Sequence, residues 1–467
     1  MNNIPIKKSL LALATISLAA VSANAQKQVP PAGGAPKPFT VPAHETYALP
    51  NGMKVTLVPY GNLPKVTVDL VIDSGNLNEP AEMPGLADLV GQLMKEGTKT
   101  RSSKQVAEES ANMGGTLNIA VGADESDIST DVLSEFGAKA VALVADVARN
   151  PLFPESELPR LKNDAVRQVT IQRSLPQSIA LERFRKILYG DHPYGTVFAT
   201  PESIQKTTVA DVKKFYAANI GAQRAHLYVA GRFNSPAVKR AIAASFGTWA
   251  TGPAAAPDVP QIKPKHTLDL TDRPGATQST LYVGMPVPDA TSADNIPLVV
   301  TNAILGGSFG SRITSNIREQ KGYTYSPNSQ VSRRYHDAYW VEVADVTTQF
   351  TGASLKEIFG EIERMQKEPP SDTELKGIQS YLSGIFVIQN SSRGALINQL
   401  RYVNLQGLGD SYLTSYVQKI NAVTPKDVQR ITAEYIKPEQ MTIVVIGDKA
   451  KISEQLGAYM TGNAETH

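Results

Sequence analysis

The sequence predicts an α+β protein in which one domain plan is used twice, and three observations predict it. Strand-like and helix-like patterns come in clusters instead of strict alternation. The stretch "DVKKFYAANIGAQRAHLYVAGRF", starting at Asp211, aligns without a gap with "DVQRITAEYIKPEQMTIVVIGDK", starting at Asp427, at an offset of 216. Asp211 matches Asp427, Val212 matches Val428, Ile220 matches Ile436 and Gly231 matches Gly447. The Pro-rich stretch "TGPAAAPDVPQIKPKH" lies near the middle, where a joint would fall. The offset is too long for a solenoid repeat and fits a duplicated domain of about 200 residues.

The elements follow in order. Lys7 and Lys8 precede the apolar run "SLLALATISLAAVSA" and the ending "ANAQ". A basic segment, a short apolar segment and a small-x-small site make residues 1–25 an expected signal peptide, cut between Ala25 and Gln26. The run is too short to span a bilayer comfortably, so no membrane anchor is expected. The Lys-rich, Ala-x-Ala form points to export into a bacterial periplasm. Residues 26–43, rich in Pro, Gly and Ala, read as a flexible leader. The first domain, 44–248, opens with the β-branched strands "MKVTLVPY" and "KVTVDLVID" and continues with the helical pattern "SSKQVAEESANMG". Within it "GGTLNIAVGADESDISTDVL" has the polar alternation of a strand. Residues 249–266 form the linker. The second domain, 267–462, opens with "STLYVGMPVP" and closes with the helical "PKDVQRITAEYI".

Composition narrows the function classes. The chain has 467 residues, 42% of them apolar, ample for large cores. It has 46 basic and 44 acidic residues and no long block of one sign. Removing Lys7 and Lys8 with the leader leaves 44 of each. No nucleic-acid footprint and no polybasic membrane patch is present. The absence of cysteine excludes disulfides, thiolate metal sites, a cysteine nucleophile and a lipoprotein anchor.

Several landmarks then fall in a recognisable order: "LPNGMKVTLVP", "MPGLADLVGQLMKEGT", "GGTLNIAVGADESDIST", "FPESELPRLKNDAVRQ", "LYGDHPYGTVFATPESIQ" and "LGGSFGSRITSNIREQKGYTYS". Over roughly 44–460 the chain resembles the pitrilysin/insulinase family of zinc peptidases in its two-domain, processing-peptidase-like form. The resemblance implies two homologous domains, each a mostly antiparallel sheet covered by helices, closing as a clamshell.

That family carries H-x-x-E-H on a helix. Two imidazoles at i and i+4 share one face and bind a single zinc, and the Glu activates the metal-bound water. Here the two His positions are Asp88 and Gln92, the base position is Gly91, and the third-ligand position is Gln168. Two neutral amides are poor zinc ligands, and glycine has no side chain to accept a proton. Asp88 and Gln92 therefore read as a polar helix face, and no metal is expected on this chain. The six histidines, His44, His192, His226, His266, His336 and His467, include no pair at helical ligand spacing. His192 reads as a capping or packing residue. No nucleophile elbow is expected, and "LGGSFGSR" reads as a turn between helices.

The second half retains Arg318 and Tyr323 in "SRITSNIREQKGYTYS". The resemblance implies an Arg and a Tyr in this segment that contact the substrate carbonyl, where a guanidinium and a phenol both donate to a developing oxyanion. Tyr323 follows Gly322 as in the family's Gly-Tyr pattern; Tyr325 is the competing tyrosine. Pairing of Arg318 with Glu319 is the structural alternative. The family also splits its roles between two chains. The expectation is thus a non-catalytic subunit of a heterodimeric periplasmic zinc peptidase, with Arg318 and Tyr323 acting in trans. Zinc would sit in a partner subunit with an intact H-x-x-E-H, and the substrates would be peptides. The alternatives are a catalytically inert scaffold or peptide-binding protein of the same fold and, behind it, a self-sufficient metallopeptidase with a rearranged site using Asp88 and a distant His.

Overall fold

A computed structural model describes residues 39–459 and 464–466. The expected signal peptide and most of the leader lie outside the described residues. Two six-stranded sheets organise the chain. The first contains β1 (Glu45–Ala48), β2 (Lys54–Pro59), β3 (Lys65–Ile72), β4 (Asn118–Val121), β5 (Ser126–Leu133) and β6 (Ala225–Gly231), in the order β1-β2-β6-β3-β5-β4. Only the β2–β6 pair is parallel. The second contains β7 (Thr267–Asp272), β8 (Gln278–Pro286), β9 (Asn328–Val331), β10 (Tyr339–Thr347), β11 (Thr442–Gly447) and β12 (Ala464–Thr466), in the order β12-β7-β11-β8-β10-β9. From β2 and β7 onward the two orders correspond strand for strand.

The repeated stretches fold alike. Thr208 caps the helix Val209–Asn219, and Thr424 caps the helix Pro425–Tyr435. In each, the threonine hydroxyl accepts from the backbone N–H of the aspartate three residues on, Asp211 or Asp427, at 3.2 Å. That carboxylate in turn accepts from the threonine N–H at 2.9 Å. Such boxes satisfy otherwise orphaned helix-end donors. Each helix leads into the central strand of its sheet, β6 or β11. Gly231 ends β6 at φ +128°, where a Cβ would lie 2.3 Å from the Lys65 carbonyl. Only glycine fits so close to a neighbouring strand.

Both central strands are buried on both faces, which requires cover on both sides. Along β11, Ile443 and Val445 join the core built with the second half's helices, while Val444 and Ile446 face the opposite way. The opposite face is covered by the helix Pro176–Tyr189 from the first half, through Ala180, Phe184 and Leu188. The exchange is mutual. The helix Arg393–Leu405 from the second half covers Tyr228 and Ala230 of β6 with Leu396, Ile397 and Leu400. These helices start at Pro176 and Arg393, the repeat spacing to within one residue.

Candidate functional site

The helix Leu86–Met94 carries the degenerate metal frame. It starts after Gly85, held at φ +90° because a Cβ there would press on Ala199 at 2.6 Å. Leu86, Leu89, Val90 and Leu93 are buried in the first core, so the i, i+4 pair Asp88 and Gln92 is left for the opposite face. Both line a cleft of about 720 Å³, and Gln168, from the helix Leu158–Ser174, lines it too. The structure thus gathers all three ligand positions at one place.

Their chemistry does not suit zinc. One carboxylate and two carboxamides, without an imidazole, replace the usual donors. Among the described residues no group of three or more His, Asp or Glu side chains is placed to hold a metal ion. Gly91 faces away from the cleft lining, toward β4. A Cβ at Gly91 would meet Val121 Cγ2 at 2.9 Å and Ile119 Cγ2 at 3.4 Å. Glycine here relieves crowding: any larger residue would press its Cβ on the Val121 side chain of the edge strand. Sequence reasoning registers the missing base and a helix weakened by glycine; it does not register the close approach of β4.

Glu79, which no sequence motif marks, organises the cleft floor. Its carboxylate accepts from the backbone N–H groups of Gly85 at 3.0 Å and Ala87 at 2.8 Å, capping the helix. The Asn76 amide donates to Glu79 at 3.1 Å and to Asp88 at 3.0 Å, bridging the two acids. Burial pushes Glu79 up to about 7 despite these hydrogen bonds, with the Asp88 charge adding to the rise. Removal from bulk water raises Asp88 as well, against its bond from Asn76.

Arg318 and Tyr323 do not line this cleft. Arg318 lies on a π-helical segment, Thr314–Gln320. Its guanidinium sits 4.4 Å from the Phe309 ring centroid and 5.1 Å from that of Tyr325, and Nε pairs with Glu319 at 3.2 Å. Phe309 and Tyr325 are 72% and 80% exposed, so this cationic sandwich faces outward. Tyr323 instead stacks on Phe350, with centroids 4.4 Å apart. The tyrosine brought to Arg318 is therefore Tyr325, because the turn after Gly322 (φ +65°) is not a strand and sends the two rings to different neighbours. His192 caps a short turn by accepting from the Tyr194 N–H at 3.1 Å. One expectation needs correcting. Residues 306–310, "GGSFG", do match the Gly-x-Ser-x-Gly string of a serine nucleophile. They follow the π-helical segment Ala303–Gly307 and not a strand, and buried Ser308 Oγ has no hydrogen-bond partner. No base reaches it, so the elbow geometry is absent.

Comparison with known proteins fits this frame. The profile of the Insulinase (Peptidase family M16) domain matches residues 55–202, and that of the Peptidase M16 inactive domain matches 206–382. The chain belongs to the M16 peptidase family. This M16 protein is 24% identical over 397 residues to YmxG of Bacillus subtilis (strain 168), named an uncharacterized zinc protease, with 83% of this chain and 94% of the relative covered. In fold it is similar to a peptidase M16 inactive domain from Pseudomonas fluorescens, at TM-score 0.80, 24% identity and 86% and 98% coverage. A Helicobacter pylori protease gives TM-score 0.80 at 22% identity, with 87% and 100% covered. The Escherichia coli periplasmic protease PqqL gives 0.74 at 17%, with 93% of this chain aligned to 50% of that one. Among the described residues no helix is long and apolar enough to cross a membrane.

Proposed function

We propose that this chain is the non-hydrolytic subunit of an exported, heterodimeric M16 peptidase. A partner with intact H-x-x-E-H supplies zinc and base, and this chain closes the chamber around peptide substrates and contributes Arg318 in trans. The observation that carries the reading is the residue set itself: Gly91 has no side chain to act as a base and is crowded at Cβ by Val121, beside a donor set of Asp88, Gln92 and Gln168. The outward-facing Arg318 supports action on another chain better than action on its own cleft. Tyr325 shares that surface, and Tyr323 reaches it only by leaving Phe350. The basic, apolar and Ala-x-Ala segments before Gln26 support export.

The test compares the isolated mature chain with the chain co-purified with an M16 protein carrying H-x-x-E-H. Zinc content and cleavage of a quenched peptide are measured in both. Hydrolysis is expected in the mixture alone, and Arg318→Ala should lower its rate by about 10²–10³. Tyr323→Phe and Tyr325→Phe, read in the same assay, assign the second donor. A metal-loaded, hydrolytic isolated chain overturns the proposal. An inert scaffold is the second reading, favoured by the Arg318–Glu319 pair and the stacked Tyr323; a mixture in which Arg318→Ala changes nothing selects it.

A further inference from the structure

The cleft is lined by cations as well as by Asp88 on the Leu86–Met94 helix. Arg185, on the exchanged helix, and Arg334, from the second half, both line it. Arg185 is only 7% exposed, and its Nε is buried with no hydrogen-bond partner. Among the described residues, neither guanidinium takes part in an ion pair. The carboxylates nearby are already engaged. Tyr194 donates its hydroxyl to Asp124, and Tyr189 donates to Asp337 at 2.6 Å. Aromatic faces hold the two cations from behind: Tyr189 lies 6.0 Å from Arg185, and Tyr194 lies 5.3 Å from Arg334. A buried guanidinium that no carboxylate contacts directly is costly unless something else satisfies its fork. Desolvation and the Arg334 charge both depress Arg185. Asp124 feels both guanidinium charges, which oppose the rise that burial gives it, but it makes no direct ion pair with either.

We infer that Arg185 and Arg334 form an anion subsite that receives the C-terminal carboxylate of a short peptide lying in this cleft. A guanidinium fork matches a carboxylate in a bidentate manner. A volume of about 720 Å³ falls in the range of small-ligand sites and accommodates a few residues. The rest of the lining argues against a polyanion such as phosphate, because Glu79, Asp88 and Asp164 belong to it and repel additional negative charge. Leu77, Val169 and Phe198 supply apolar lining. The subsite requires no metal and no second subunit, so it stands independently of the heterodimer proposal.

Isothermal titration of the isolated mature chain with tetra-alanine, its C-terminal amide and inorganic phosphate tests the inference. The free acid should bind, and amidation should weaken binding at least about tenfold, the loss of a charge-assisted contact. Arg185→Met and Arg334→Gln should each weaken the free acid to a similar degree and leave the amide unchanged. Arg334, at the cleft wall, provides the readout should Arg185→Met fail to fold. Equal binding of acid and amide, no binding of either, or preference for phosphate overturns the subsite. None of these outcomes bears on hydrolysis by the co-purified pair.

Discussion

A carboxylate sealed inside a core titrates late, and Glu342 on β10 is such a group. It is fully buried, neither oxygen has a hydrogen-bond partner, and a Cβ on Gly306 would lie 2.5 Å from Oε2. Burial holds its pKa well above the carboxylate range, opposed by the Asn328 N–H without a formed hydrogen bond. Below the ordinary carboxylate pKa both folded and unfolded chains carry the proton. Above it the unfolded chain ionises first, so stability falls as pH rises. Glu342→Met should therefore raise the melting temperature, and by more at pH 8 than at pH 5, in thermal unfolding at both. Gly91 makes the opposite case. Alanine there would gain up to about 1 kcal/mol of helix propensity, against about 1–3 kcal/mol of overpacking on Val121. Urea unfolding should show Gly91→Ala destabilised, and Gly91→Glu should not restore hydrolysis. The loss of the base was legible in one letter of the sequence; its packing cause was not, because β4 lies 27 or more residues away along the chain.

The exchanged helices decide what the elements can do alone. The helix Pro176–Tyr189 buries Phe184 against Tyr282 and Tyr339 of the other half, and Arg183 forks onto Asp269 of β7 at 2.7 and 2.6 Å. Residues 44–248 expressed alone would leave this helix face and the outer face of β6 in water. Such a fragment should bind a hydrophobic dye and aggregate, and co-expression with 249–462 should suppress both, as read by dye fluorescence and gel filtration. The repeat, its capping threonines and its central strands could be read from the sequence because each signal is local. That each repeat holds a mostly apolar strand ending at glycine was also visible. Which helix covers the second face was not, since apolar periodicity names a buried face and not its partner. The π-helical segment carrying Arg318 was likewise hidden, so the rotation that brings Tyr325 and not Tyr323 over the guanidinium had no sequence signal.

At the scale of the whole molecule, Arg401 ties the halves together. From the helix Arg393–Leu405 it reaches Asp69 at 3.4 Å, Asp127 at 3.1 Å and Glu125 at 3.4 Å, all on or beside the first sheet. Burial pushes Asp69 and Glu125 up to about 7, and Arg401 opposes the rise in both. Raised carboxylates contribute stability that is fully present below their ordinary values and lost as pH climbs toward 7. Melting temperature should thus decline from pH 5 to pH 7.5. Arg401→Ala should steepen that decline, because ionised Asp69, Glu125 and Asp127 would then face one another without a counter-charge. The sequence by itself determined the duplicated α+β plan, the M16 landmarks and the replacement of H-x-x-E-H by Asp88, Gly91 and Gln92, because those depend on residue identity at fixed local spacing. Only the tertiary structure decided that Asp88, Gln92 and Gln168 share a cleft with Arg185 and Arg334, that Val121 of β4 crowds Gly91, and that each half roofs the other's sheet. Those outcomes arise from contacts between segments distant along the chain, which no local pattern encodes.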